Sequence, residues 1–131
     1  MTEPHTLYVF GTGNATMTRY YNTCFAIRSG EEYFMTDAGG GNGILRILEE
    51  MQVPLNRIHH LFVTHEHTDH ILGVIWMIRM IGTAIKREIM RNFSYLLPRR
   101  PDRHDSDLLP PDTPEEILRP DRRSDPAHPD F

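Results

Sequence analysis

Residues 64–70 read Thr-His-Glu-His-Thr-Asp-His and follow directly on the apolar run Leu61-Phe62-Val63. Three histidines and an aspartate fall within six positions. Neutral imidazole and carboxylate are the usual ligands of zinc and similar divalent ions. His65 and His67 are two residues apart, so at the end of a strand their side chains leave on one face and can share one ion. Asp69 and His70 are expected where the strand has turned into a loop, free to aim at a second ion. Two adjacent ions can share a water, lower its pKa and clamp the attacking and leaving oxygens of a hydrolysis. Asp69 could also orient or deprotonate that water, as a catalytic residue. A solvated polar turn with a chance run of histidines is the competing reading, and this density of ligand types disfavours it. Glu66 and Thr68 alternate with the ligands and read as ordinary polar residues.

The elements that must position this cluster are legible from periodicity. Residues 6–10, 23–28, 33–36 and 58–63 are rich in β-formers and read as four strands. Gly11-Thr12-Gly13-Asn14 and Ser29-Gly30-Glu31-Glu32 read as turns between the first three. Ile44, Leu45, Ile47, Leu48 and Met51 recur at helical spacing, and Pro54 follows. A second helix is expected over 71–85, apolar on nearly every side and therefore buried. Trp76, in that helix, is expected in the core. The glycine-rich segment Gly39-Gly40-Gly41-Asn42-Gly43 enters the first helix. It lacks the Lys-Ser/Thr of a phosphate loop, and Ile44 occupies the place of the third dinucleotide glycine. Its expected role is to bring the helix start close to the ligand cluster. Asp37 stands at a strand end. It could accept a hydrogen bond from a ligand histidine, or cap a turn or helix. His59 and His60 read as strand-entry residues.

With 131 residues the chain has room for one ordinary domain. A net charge of −4 argues against general adhesion to nucleic acid, although an ion pair can still engage one phosphate of an RNA. The single cysteine, Cys24, excludes an internal disulfide framework and reads as a small apolar filler. Residues 1–5 are polar, without the pattern of a signal peptide. The longest apolar stretch, residues 71–81, is too short for a membrane span and is interrupted by Arg79. The expectation is a cytoplasmic protein that does not engage a membrane.

The run His65-Glu66-His67-Thr68-Asp69-His70 resembles the H-x-H-x-D-H motif of the metallo-β-lactamase superfamily. Phe10-Gly11-Thr12-Gly13-Asn14-Ala15 resembles the "LGTG" opening of its ribonuclease Z-like branch, and Asn22-Thr23-Cys24-Phe25 resembles the strand entry that follows. Tyr33-Phe34-Met35-Thr36-Asp37-Ala38-Gly39 resembles the strand that leads to "D-x-G". The resemblance covers roughly residues 6–86. It implies an α/β (α+β by some schemes) fold, the N-terminal half of an αββα sandwich, with a mostly antiparallel or mixed sheet and two helices. It also implies a metal-dependent hydrolase with two divalent ions, zinc or else manganese, held by His65, His67, Asp69 and His70. The implied reaction is phosphodiester hydrolysis, with RNA as a substrate class. A thioester, lactone or cyclic phosphodiester is the alternative; a homodimer is a further expectation, which the resemblance does not fix.

From Arg87 the composition changes. Eight of the ten prolines fall between Pro98 and Pro129, among eight basic and ten acidic residues from 87 to 131. Such a segment buries too little apolar surface to order itself. The expectation is a domain over 1–86 and a disordered tail over 87–131, either a natural one or, the favoured reading, out-of-frame sequence or a gene fragment. The family pattern needs a further histidine, a bridging aspartate and a last histidine. Only His104 and His128 remain, both in the proline-rich stretch. Two ligands per ion imply weak binding, so impaired activity, or a non-catalytic fragment, is expected.

Overall fold

The computed structural model describes residues 4–97. Five strands form one sheet in the order β1-β2-β3-β4-β5: His5–Gly11, Cys24–Ser29, Glu32–Thr36, Ile58–Phe62 and Ser94–Leu96. The first three are antiparallel neighbours; β3, β4 and β5 run parallel. Parallel neighbours need a crossover, and each is helical. Helix α1 (Gly43–Glu50) joins β3 to β4, and α2 (Thr68–Lys86) joins β4 to β5. This mixed sheet with two helices is the metallo-β-lactamase arrangement read from the sequence, and the expected elements have their ends moved by at most three residues.

Both helices lie on one face of the sheet. Met35 and Leu61 from the strands, with Val63 just past β4, meet Ile44, Leu48, Val74, Met77, Ile78 and Ile81 from the helices, all buried. The opposite face carries two rows that cross all five strands. One row is Leu7, Ile27, Phe34, His60 and Ser94; the other is Val9, Phe25, Thr36, Phe62 and Leu96. Leu7, Val9, Ile27, Phe34 and Leu96 in these rows are exposed.

Both helices end alike. Gln52 (φ 56°) and Glu88 (φ 58°) take the left-handed conformation just past the C-caps. The next amides reach back, Val53 N–H to Leu48 O (2.8 Å) and Ile89 N–H to Ala84 O (2.9 Å). These are Schellman closures with glutamine and glutamate where glycine is usual.

Three expectations are corrected. Helix α2 begins at Thr68, so Asp69 and His70 lie in its first turn and not in a loop. Trp76 is 41% exposed, in a stripe with Leu72 and Met80, because the small residues Gly73 and Ala84 turn the other side of the helix onto the core. At 19 residues α2 is also long and apolar enough to cross a membrane by length and composition, but eight of its residues are buried against the core. Strand β5 lies beyond the domain end expected at 86. The rest of the proposed tail lies outside the described residues.

Candidate metal centre

Strand β4 stops at Phe62, so His65 and His67 sit in the loop before α2 and strand alternation does not aim them. The loop and the first turn of the helix bring the histidines together instead. The His65 ring centroid is 4.6 Å from that of His67 and 4.1 Å from that of His70.

Asp37 organises the group. It ends β3 in the left-handed region (φ 55°) and is 4% exposed. Its carboxylate accepts three hydrogen bonds: from Thr64 N–H to Oδ1 (2.8 Å), from Thr64 Oγ1 to Oδ2 (2.7 Å) and from His70 Nδ1 to Oδ2 (2.9 Å). The Thr64 hydroxyl spends its proton on Asp37, so its oxygen accepts from His65 Nδ1, 2.9 Å away. Two imidazoles are thereby fixed, directly or through Thr64, with Nδ1 protonated and turned to the protein. In a neutral ring this leaves Nε2 as the lone-pair atom, the tautomer a metal-binding histidine requires. The N-cap of α1 is Asn42, so Asp37 does not cap that helix.

The His70 Nε2 faces Asp69 Oδ2 at 3.2 Å. Two donors bonded at about 2.0–2.1 Å to one tetrahedral zinc stand roughly 3.4 Å apart. Donor types and this spacing fit a divalent ion. The number of donors is smaller than a closed centre needs: among the described residues, no three His, Cys, Asp or Glu side chains are placed to hold one ion. His104 and His128 lie outside the described residues.

The other histidines serve the sheet. His59 Nδ1 meets Asn92 O at 2.9 Å and His60 Nδ1 meets Ser94 Oγ at 2.6 Å, tying β4 to the segment that forms β5. Cys24 is buried, and burial, then the charge of Asp37, pushes its thiol from 9.0 up to about 12. That suits a filler and not a nucleophile.

The glycine loop abuts the same turn. A side-chain carbon on Gly40 would lie 3.6 Å from Asp69 Cα. Ala38 N–H donates to His70 O (3.3 Å), and Gly73 N–H donates to Gly39 O (2.8 Å). Sequence reasoning missed Tyr21, whose hydroxyl lies 2.9 Å from Ala38 O and 2.7 Å from Gly41 O. No local pattern signals a contact between residues 17 and 20 positions apart.

Among curated relatives, a ribonuclease Z from Bacteroides thetaiotaomicron is 31% identical over 81 residues, covering 61% of this chain and 25% of the relative. The chain thus spans about a quarter of the length of the relatives it matches. Among solved structures, a long-form RNase Z from yeast superposes with a TM-score of 0.60 at 17% identity, over 72% of this chain and 14% of that one. The metallo-β-lactamase fold protein YhfI from Bacillus subtilis superposes with a TM-score of 0.54 at 21% identity, over 80% and 39%. These likenesses bear out the fold and the ribonuclease Z-like resemblance carried by the histidine motif and the glycine turn. The family model described as Anti-Pycsar protein Apyc1 matches residues 5–90, about two thirds of the sequence and all of the ligand cluster, and the chain belongs to that family.

Proposed function

We propose that this chain carries the ligand-bearing part of a metal-dependent hydrolase acting on a phosphodiester, with RNA as the substrate class. His65 and His67 serve one divalent ion; Asp69 and His70 serve a second. Zinc suits this donor set, with manganese as the alternative. A bound ion would supply an acidified water. Asp69 is the residue to orient that water, and Asp37 holds His70 in its tautomer. The observation that carries this reading is the Asp37-centred array, which turns Nδ1 of two histidines to the protein and leaves Nε2 of His70 beside a carboxylate.

The donor count favours a second reading, a non-catalytic chain that binds metal weakly. Calorimetric zinc titration and turnover of bis(p-nitrophenyl) phosphate with zinc or manganese separate the two. The expected result is weak zinc binding, lost in His65→Ala, with turnover at background. Turnover that disappears in His65→Ala would make the chain an enzyme by itself. Two tightly held ions per chain would show that the centre is complete.

A further inference from the structure

Tyr21 lies in the connection between β1 and β2, far from the ligand motif in sequence. Its ring fills the space left by two glycines of the loop after β3. A side-chain carbon on Gly39 (φ 74°) would collide with the ring, and one on Gly43 would lie 2.9 Å from Tyr21 Cε2. The hydroxyl straddles the loop between Ala38 O and Gly41 O. Burial pushes the phenol from 10.0 up to about 12, so it remains a donor throughout the neutral range.

The residues it grips continue into the candidate centre. Asp37 holds the side chains of Thr64 and His70. Ala38 O shares the single Tyr21 hydroxyl proton with Gly41 O, and the Ala38 amide donates to His70 O. Gly39 O accepts from Gly73 N–H. Gly73 allows this approach, because a side-chain carbon there would overlap the Ala38 carbonyl. Three consecutive residues thus connect Tyr21 on one side with the first turn of α2 on the other.

We infer that the Tyr21 hydroxyl is a positioning group for Asp69 and His70: it fixes the loop against which the first turn of α2 is docked. The inference rests on the reading of Asp69 and His70 as a ligand pair only for its effect on metal. Its effect on geometry exists without metal, and the test uses both.

The variant is Tyr21→Phe, which keeps the ring between the two glycines and removes only the hydroxyl. In the metal-free chain, nitrogen-15 NMR of the histidines reads the His70 ring directly, with the Trp76 indole as a distant reference. The expected result is a displaced His70 Nδ1 signal, faster exchange of its proton, and an unchanged Trp76 signal. Calorimetry with zinc alone is expected to show about tenfold weaker binding. If wild type takes up no zinc, the ligand reading fails while the NMR arm still decides the positioning role. An unchanged His70 signal in Tyr21→Phe overturns the inference. So does a chain that no longer folds by circular dichroism, since the hydroxyl would then serve global stability and not this turn.

Discussion

Asp37→Ala should lower the unfolding free energy by about 2–3 kcal/mol, the upper part of the usual range for a substitution that breaks a hydrogen-bond network. The loss is large because one carboxylate serves Thr64 N–H, the Thr64 hydroxyl and His70 Nδ1, and alanine accepts none of them. A hydrogen bond to a charged group contributes about 1.5–3 kcal/mol. The left-handed φ of 55° adds a smaller backbone term, since alanine tolerates it less well than aspartate. Asp37→Gly separates the two causes: it relaxes the backbone but supplies no acceptor, so it should remain nearly as damaging as alanine. Urea denaturation followed by circular dichroism measures both variants. A loss below about 1 kcal/mol in each would mean that the array around Asp37 contributes little net stability.

Gly73→Ala should also destabilise, by about 3 kcal/mol, against the usual trend. In an exposed helix interior this change gains about 1 kcal/mol through helix propensity. Here the new carbon would overlap the carbonyl of Ala38, which is backbone and cannot rotate away. Helix α2 must lift off the loop, and the bonds Ala38 N–H to His70 O and Gly73 N–H to Gly39 O lengthen or break. Overpacking of this kind costs roughly 1–3 kcal/mol, and more where backbone must move. The thermal midpoint should fall, and zinc uptake should fall with it, because Asp69 and His70 ride on the displaced turn. Gly82→Ala, in the same helix, is the comparison; a midpoint that falls equally for both would point to a general intolerance of the helix and not to the Ala38 contact.

Local pattern was enough for most of the fold. Alternation in β1 to β4 and the 3.6-residue recurrence in α1 are each contained in one segment. The histidine motif was legible for the same reason. What local pattern could not give depends on pairs far apart in sequence. Asp37 and Thr64 are 27 positions apart, and Asp37 and His70 are 33 apart. Thr68, Asp69 and His70 look like loop residues, which sets the expected start of α2 too late, although an aspartate suits a first helical turn. Trp76 is expected in the core because the segment is apolar on nearly every side. The side that packs is chosen by Gly73, which only the approach of Ala38 explains. Strand β5 has three residues, too few for any period to appear.

The exposed apolar residues in the two rows on the open face of the sheet affect the thermodynamics of the described residues. The heat-capacity change of unfolding follows the apolar area newly given to water, usually about 12–15 cal/mol/K per residue. Leu7, Val9, Ile27, Phe34 and Leu96 already meet water in the folded state, so they add little to that change. For the described residues the stability curve is therefore flatter than their number alone would give, with a weaker dependence on temperature and a shallower response to urea, since both scale with the same newly exposed surface.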